Sequence, residues 1–507
     1  MSQIEKVFYN KFRVFKEEFT LDLKPLTFLT GPNSSGKSTV LKSILLLKSN
    51  ISSNLQVLDF TGEKHNLGTF EKTINKNSNE DDLLSIGFKS QLISDMPING
   101  FFKEPITTRR SVFHVLRESS EGQKTDIFII LKYRRVERSG KLQSIEIREG
   151  ESDKPFLILK IAGNESEHHT LEINSSTLKT NEYLNELFLN YRISKERKKI
   201  KSSKSSISVL KKYVIPAKFA IQETTKEAFY DEPILVFSQL FKLFLDDELK
   251  GSLKKDIPNY FLRIPLKQIL QDFSLILENT EYIEAVRANT KRLYTNDSQG
   301  TSFNDLILDY NSRDIDTISK KFIDKWLKNF EIAEEIIFKN VEGVATTIYL
   351  RDKDEETALA DLGYGITQFL PILLKIALEQ PIRKKKSFGT IVKKLILIEE
   401  PETNLHPKLQ SLLADFFLDA LKTFEVRFIV ETHSEYLIRK MQILVGDQMI
   451  DKNDSIIYYF NGKDEDGQSK IEQIKFLQNG SLDGDFGKGF YDEAANLKYE
   501  LLKRKAL

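Results

Sequence analysis

The sequence predicts an α/β fold that carries an antiparallel β subdomain and a mainly helical insertion. A strand, a glycine-rich loop and a helix follow one another between Leu26 and Leu47. After Asp361 helices and strands alternate, as in a parallel sheet. Residues 82–174 have the period of strands, and residues 181–278 have the period of helices. We therefore expect an N-terminal part over residues 1–180, a helical insertion over 181–278 and a C-terminal part over 279–507.

Individual segments follow this division. Two short strands are predicted between Val7 and Leu23, where apolar and polar residues alternate. The other predicted strands are Ser111–Leu116, Asp126–Tyr133, Phe156–Ile161, Tyr282–Arg287 and Ala345–Leu350, and the predicted helices include Ile234–Leu245 and Ile315–Phe330.

The loop after the first apolar strand fits the pattern G-x-x-x-x-G-K-[ST] from Gly31 to Ser38. Glycines let the backbone curl so that its N–H groups point at phosphate oxygens, and the following helix adds its positive dipole end. Lys37 would reach the β- and γ-phosphates, and the Ser38 hydroxyl would bind Mg²⁺. The alternative is an ordinary Gly/Ser-rich turn. With a strand before it and a helix after it, we predict nucleoside triphosphate binding by Asn33, Ser34, Ser35, Gly36, Lys37, Ser38 and Thr39.

A second strand, Leu395–Ile398, ends in the two carboxylates Glu399 and Glu400. Four apolar residues in a row fit a central parallel strand that is covered on both faces. Buried carboxylates need a cation or a proton, so we predict that Glu399 coordinates Mg²⁺ and Glu400 activates water. The alternative is an acidic cluster at the start of a helix.

A third apolar strand, beginning at Val426, ends in the polar turn Glu431-Thr-His433-Ser434. A lone histidine is usually structural, and Thr432 or Ser434 could cap the next helix. Because this strand follows the double-carboxylate strand, its end should lie at the same carboxyl edge of the sheet, where ligands bind. We predict that His433 senses the γ-phosphate.

A glycine-rich turn precedes the predicted helix that begins near Phe369. Gly363 and Gly365 make a flexible anion-binding helix start, followed by Thr367 and Gln368. By itself this pattern is weak, and an ordinary glycine turn explains it as well.

Composition narrows the class of protein. Lys plus Arg (75) and Asp plus Glu (74) nearly cancel, so any basic binding surface must be local. The chain has no cysteine, which excludes disulfides, thiolate zinc sites and cysteine nucleophiles. Its apolar stretches are far shorter than the ~20 residues that span a bilayer, and its N-terminus lacks a signal-peptide pattern. We expect a cytoplasmic protein without a membrane partner.

In this order the motifs resemble those of the ABC-class ATPase head, including its RecF/SMC branch and the overcoming-lysogenisation-defect (OLD) nucleases. They are most similar to stand-alone bacterial AAA-type ATPases of this branch, as found in anti-phage defence systems. The likeness covers roughly residues 1–110 and 280–507. The matching segments are Gly31–Thr39, Leu67–Phe70, Tyr282–Tyr294, Gly363–Pro371, Glu399–Pro407, Glu431–Glu435 and Gly487–Glu493.

The resemblance implies a P-loop ABC-type ATPase head that works in head-to-tail pairs, with ATP and Mg²⁺ as cofactors. Gly363, Gly365, Thr367 and Gln368 would approach the γ-phosphate of the partner subunit, so we expect a homodimer or a higher even oligomer. Two features depart from the family pattern. Glu399 stands where an aspartate is usual, and the glycine-rich turn lacks the full L-S-G-G-Q. Both departures concern the rate of hydrolysis.

The leading functional hypothesis is an ATP-driven switch in an anti-phage defence complex that controls a separate nuclease or other effector. Only 74 residues follow His433, which is too few for the Toprim nuclease domain of OLD proteins. A RecF/SMC-like DNA-repair ATPase fits the motifs about equally well. An OLD-like nuclease and a transporter ATPase are less well supported.

Two short segments of the chain are rich in lysine and arginine. The first is Ser-rich and includes Lys195, Arg197, Lys198, Lys199, Lys201 and Lys204, and the second is Arg383–Lys386. Such runs are commonly solvated loops. Since the net charge is only +1, we also predict weak, sequence-independent and salt-sensitive binding of nucleic acid, or docking of an acidic partner, at the first run.

Overall fold

The computed structural model describes residues 3–51, 55, 57–62, 64–93, 124–150, 152, 154–161, 168–174, 210–216, 275–285, 291–295, 302–341, 345–379, 393–465, 467–487, 490–491 and 493–505. The chain forms two compact units. The first contains Met1–Asp22, Lys42–Asn279 and Ser387–Lys393, and the second contains Leu23–Leu41, Thr280–Lys386 and Lys394–Leu507. Within the described residues, no helix is both long and apolar enough to span a membrane.

The described residues form these strands and helices. The strands are β1 (Ile4–Asn10), β2 (Phe19–Asp22), β3 (Leu26–Thr30), β4 (Val57–Leu58), β5 (Leu84–Ile93), β6 (Lys124–Val136), β7 (Ser139–Glu149), β8 (Leu157–Lys160), β9 (His168–Asn174), β10 (Leu210–Pro216), β11 (Thr280–Ile283), β12 (Tyr294–Thr295), β13 (Glu335–Val341), β14 (Ala345–Asp352), β15 (Glu355–Ala358), β16 (Leu395–Glu399), β17 (Arg427–Glu431), β18 (Ser455–Lys463) and β19 (Ser469–Lys475). The helices are α1 (Lys37–Ser49), α2 (Phe70–Thr73), α3 (Ser302–Ser312), α4 (Thr317–Asn329), α5 (Tyr364–Ala377), α6 (Pro407–Phe424), α7 (Glu435–Gly446) and α8 (Glu493–Lys505).

The first unit is built on a nine-stranded antiparallel sheet. Its order is β10-β9-β8-β7-β6-β5-β1-β2, and β4 pairs with β7. In β8 buried and less buried positions alternate, and the apolar residues Ile145 and Ile147 of β7 and Leu157 and Leu159 of β8 are buried in a core. This is the pattern expected of an antiparallel sheet with one face packed and the other facing water.

The strand predictions for this unit are confirmed where the structure describes them. Asp126–Tyr133 lies in β6 and Phe156–Ile161 coincides with β8. The predicted strand Ser111–Leu116 lies outside the described residues. One prediction is wrong: Leu210–Pro216, within the segment expected to be helical, is a strand that pairs with β9. Lys-Lys-Tyr-Val-Ile is rich in β-branched and aromatic residues, and an available sheet edge decided its conformation. The rest of the helical insertion stays a prediction.

The second unit contains a six-stranded sheet in the order β11-β16-β17-β3-β18-β19. The first five strands are parallel, and β19 returns antiparallel to β18. All residues of β3 and β17 and the first four of β16 are buried, as expected for central parallel strands covered on both faces. The predicted alternation of helices and strands after Asp361 is confirmed by α5, β16, α6, β17 and α7. The β18–β19 pair was not predicted.

The helices of this unit share one aromatic core. Phe330, at the end of α4, stacks on Phe369 of α5 with ring centroids 3.8 Å apart. Phe416 of α6 meets Phe369 and Trp326 edge-on at 5.2 Å. Close packing of these large rings holds α5, which begins at the glycine-rich turn, in a fixed position against α6.

A second, four-stranded sheet is formed by β12, β13, β14 and β15.

Candidate functional site

The loop between β3 and α1 has the backbone of a tight phosphate-type loop. Gly31 has a φ of 134°, and a Cβ at this position would lie 2.2 Å from the carbonyl oxygen of Phe460 in β18. Only glycine satisfies both conditions. Gly36 (φ 110°) and Ser34 (φ 61°) are also on the left-handed side of backbone space. Ser34 and Asn33 are exposed, whereas Ser35 and Thr39 are buried.

Lys37 is the buried cation of this loop. Its side chain is 3% exposed, and its Nζ donates hydrogen bonds to the carbonyl oxygens of Gly31 at 3.0 Å and Pro32 at 2.9 Å. Burial lowers the pKa of Lys37, while Glu431, with Nζ and Oε1 3.9 Å apart, works in the opposite direction. The ammonium is thus held inside the loop, where a phosphate group would meet it.

Three strands end at the same edge of the parallel sheet. Glu399, the last residue of β16, is the register partner of Glu431, the last residue of β17. Glu431 in turn pairs with Leu29, two residues before Gly31. The strand that carries the Glu-Thr-His sequence therefore lies between the double-carboxylate strand and the phosphate-loop strand. The predicted meeting of the second and third motifs at one carboxyl edge is what the structure describes.

Glu431 contacts the phosphate loop directly. Ser38 Oγ donates to Glu431 Oε1 at 3.0 Å, and Glu431 is 5% exposed. Among the described residues, no hydrogen-bond partner faces its second oxygen, Oε2. Burial raises the pKa of Glu431 to about 7; the Ser38 hydrogen bond and Lys37 oppose this shift, and Glu399 and Glu400 add to it. The sequence interpretation assigned no role to Glu431, although the glutamate at the end of a buried strand was a signal.

Glu400, predicted to activate water, has a strained backbone. Its φ of 43° lies in the left-handed region, which is uncommon for residues other than glycine. Its amide nitrogen donates to the Glu431 carbonyl oxygen at 2.8 Å, and Thr403 Oγ1 donates to Glu400 Oε2 at 3.2 Å. Strain of this kind persists where the surroundings fix a functional side chain.

Glu402 and His433 are linked at the same edge. The backbone N–H of His433 donates to Glu402 Oε1 at 2.5 Å. Glu402 is 7% exposed, and burial raises its pKa. The imidazole of His433 is exposed at the surface, and partial burial followed by the charge of Lys37 lowers its pKa. Glu402 thereby orients the turn that carries His433, a function that the sequence interpretation missed.

The alternative interpretation of the histidine turn, in which Thr432 or Ser434 caps the next helix, also holds for Ser434. Ser434 is the N-cap of α7, and its Oγ accepts a hydrogen bond from the amide of Leu437 at 3.2 Å. The same hydroxyl donates to Gln410 Oε1 at 2.7 Å. Capping by Ser434 fixes the start of α7. His433 lies one residue before this N-cap, and the charges of Lys37 and Glu400 act on the pKa of its imidazole.

The glycine-rich turn has two different glycines. A Cβ on Gly365 would lie 2.5 Å from the Asn404 carbonyl oxygen, so packing within the unit explains this glycine. Gly363 is exposed, has an ordinary φ of −60°, and a Cβ there would meet no described atom within 4 Å. Thr367 and Gln368 are both 2% exposed. The accessible part of the predicted trans surface is therefore the turn itself rather than these two side chains.

The donor set suits a magnesium nucleotide. A serine hydroxyl, a buried lysine and several carboxylates occupy one edge, and Mg²⁺ prefers a few protein oxygens together with phosphate oxygens. The buried Glu431 Oε2, which lacks a hydrogen-bond partner among the described residues, is an acceptor that a cation or its waters would satisfy. In the described part of the chain, no group of three or more His, Asp and Glu side chains could hold a metal by itself. The predicted roles of the individual site residues stay predictions.

Comparison with known proteins agrees with this architecture. The family profile described as "AAA ATPase domain" matches residues 3–438, and one described as "Protein of unknown function (DUF3696)" matches residues 450–501. No curated protein sequence matches the chain.

Two solved structures are similar to most of the chain at low identity. One is the SMC head domain from Thermotoga maritima, with 10% identity, a TM-score of 0.36, and coverage of 93% of this chain and 98% of that chain. Another is the Smc head domain with an extended coiled coil, bound to the C-terminal domain of ScpA, from Pyrococcus furiosus, with 12% identity, a TM-score of 0.39, and coverage of 99% and 100%. The family match confirms the predicted kinship with AAA-type ATPases: this chain belongs to the AAA ATPase domain family.

Proposed function

We propose that this chain binds and hydrolyses ATP and acts as a nucleotide-driven switch in a bacterial anti-phage defence complex, where it controls a separate nuclease or other effector. The observation that carries the ATPase part is the convergence of Lys37, Ser38, Glu400 and His433 at one edge of the parallel sheet. The defence role rests on the resemblance of the motifs and their order. A cytoplasmic location fits both parts.

Each residue has a distinct task in this proposal. Loop amides and Lys37 bind the phosphates, and Ser38 holds the magnesium ion, which supplies charge neutralisation on the phosphate oxygens. Glu400 accepts a proton from the attacking water, for which its carboxylate is positioned by the strained backbone and by Thr403. His433 donates a hydrogen bond to the γ-phosphate from the turn that Glu402 orients.

Assembly is the second part of the proposal. Gly363 lies at an exposed helix start where nothing within the described residues requires a glycine. A glycine there leaves room for a close approach to phosphate oxygens. We propose that this turn completes the ATP site of a second copy, which gives a homodimer or a higher even oligomer. The basic runs at residues 195–204 and 383–386 lie outside the described residues, so nucleic-acid binding stays a prediction.

A Glu400→Gln variant tests the ATPase proposal. The variant should bind Mg-ATP as the wild type does and turn over at least about a hundredfold more slowly, the usual weight of a general base. Light scattering should show that it accumulates as an ATP-bound dimer. A matched control is Glu425→Gln, since Glu425 has a similar left-handed φ of 55° but caps α6 at the surface. Wild-type turnover in Glu400→Gln would contradict the assignment.

A further inference from the structure

We propose that Glu431 orients the Ser38 hydroxyl toward the divalent cation and supplies part of its counter-charge; the sequence had predicted coordination of the cation by Ser38 and Glu399 and assigned no role to Glu431. The inference rests on the proposed ATPase function and adds a positioning residue to its site.

The order of the strands is the first argument. β17 is hydrogen-bonded to β3, whereas β16 is separated from β3 by β17. Neighbouring strands are about 4.8 Å apart, so the backbone of Glu399 lies roughly 10 Å from the phosphate-loop strand and that of Glu431 about half as far. A glutamate side chain reaches the loop readily from the nearer strand. The register agrees with this shorter distance, because Glu431 pairs with Leu29, one residue before the end of β3.

The contact with Ser38 is the second argument. Ser38 Oγ lies 3.0 Å from Glu431 Oε1 and donates to it. A hydroxyl has one proton and two lone pairs. Once the proton is committed to Glu431, both lone pairs are free to face a cation, which is the orientation that a magnesium-binding serine needs. The hydrogen bond can therefore persist while the oxygen serves as a ligand.

Charge and burial supply the third argument. Glu431 is 5% exposed, and its nearest cation, the Nζ of Lys37, is 3.9 Å from Oε1. A buried carboxylate is costly unless a cation compensates it, and Lys37 also donates to two carbonyl oxygens of the loop. A divalent cation beside Ser38 would complete the compensation. Second-sphere carboxylates of this kind are worth about 10- to 100-fold in metal affinity.

The test compares nucleotide affinity with and without magnesium. Fluorescent ATP is titrated into wild type, Glu431→Gln and Glu399→Gln, each in excess Mg²⁺ and in EDTA. Glutamine keeps the shape of Glu431 and an oxygen that accepts from Ser38, but it removes the charge. We expect the gain in affinity due to Mg²⁺ to fall about 10- to 100-fold in Glu431→Gln, as a contribution separate from any fall in Glu399→Gln, where the predicted ligand of the cation is removed. Affinity in EDTA should be equal or higher in Glu431→Gln, because a negative charge near the phosphates is gone.

The outcomes are distinguishable. A purely structural role for Glu431 would lower affinity equally in both buffers, and that result would overturn the inference, as would an unchanged magnesium effect in Glu431→Gln. Loss of the magnesium effect in Glu399→Gln alone would support the sequence prediction without a role for Glu431. If Glu431→Gln does not fold, Glu431→Asp, which keeps the charge but shortens the reach, should show an intermediate loss. A wild-type protein that binds no nucleotide in either buffer would refute the ATPase itself.

Discussion

The two units of this chain place their buried charges in different ways. In the antiparallel sheet of the first unit, charged side chains pair across neighbouring strands. Lys89 of β5 lies 2.9 Å from Asp126 of β6, and Lys132 of β6 lies 2.5 Å from Glu146 of β7. In the parallel sheet of the second unit, acidic residues gather instead at one edge: Glu399, Glu400, Glu402 and Glu431.

The difference follows from strand direction. Antiparallel neighbours bring side chains together all along their length, so opposite charges can be matched pair by pair. Parallel neighbours all end on the same side, so whatever follows each strand meets at one edge. Burial at this edge, with a smaller contribution from the neighbouring carboxylates, raises the pKa of Glu431, and a ligand cation is the natural compensation. We conclude that acidic side chains gathered at the carboxyl edge indicate chemistry, and that opposite charges paired along neighbouring strands indicate stability.

Replacing one lysine in each unit with alanine is the strongest test of the difference between the two units. Lys37→Ala should abolish measurable Mg-ATP binding, because no other buried cation contacts the loop among the described residues. Lys89→Ala should leave nucleotide affinity unchanged and destabilise the protein by roughly 1 to 2 kcal/mol, since its partner Asp126 is about one-third exposed and solvent screens part of the interaction. Calorimetry and chemical denaturation measure both. Unchanged nucleotide affinity in Lys37→Ala would refute the phosphate-loop assignment.

A substitution at Gly363 tests whether the second unit keeps part of its surface for another copy. Gly363→Arg should change stability by no more than about 0.5 kcal/mol, because the backbone suits any residue and the added side chain meets no described atom nearby. It should leave ATP binding to the phosphate loop intact and prevent formation of an ATP-dependent dimer, measured by light scattering in the Glu400→Gln background. Gly363→Ala, which adds one methyl group, is the size control. A normal dimer in Gly363→Arg would contradict the trans role of this turn.

The smallest expected effect concerns two histidines. His65 of the first unit is 1% exposed and hydrogen-bonded to Ser49 and to the Asp59 carbonyl, and burial lowers its pKa. Its folded pKa is below the unfolded value of about 6.5, so the unfolded chain binds a proton first and stability falls as the pH drops below that value. His65→Gln should flatten this dependence between neutral pH and about pH 5. His433→Gln should flatten it less, because that ring is exposed. An equal effect of both substitutions would contradict the difference in burial.

Much of the fold could be predicted because it depends on local patterns. β3, the phosphate loop and α1 follow from an apolar run, glycines at two positions and a helical period within a short segment. β16 follows from a run of four apolar residues, and β17 follows from a run of three. The segment Leu210–Pro216 could not be predicted, since its conformation depends on pairing with β9, and the pair β18–β19 was overlooked although β18 supplies the Phe460 carbonyl that confines Gly31.

By itself the sequence determined which chemical groups are present and which strands end in them: Lys37 and Ser38 after β3, Glu399 and Glu400 after β16, His433 after β17. Only the tertiary structure decided which of them meet. Strand order is set by the packing of the helices and the sheet as a whole. The residues of the segment Val426–Glu431 do not by themselves predict that it lies between β3 and β16. That order brings Glu431 within 3.0 Å of the Ser38 hydroxyl, and it gives a direct contact with the phosphate loop to a glutamate that carried no assignment.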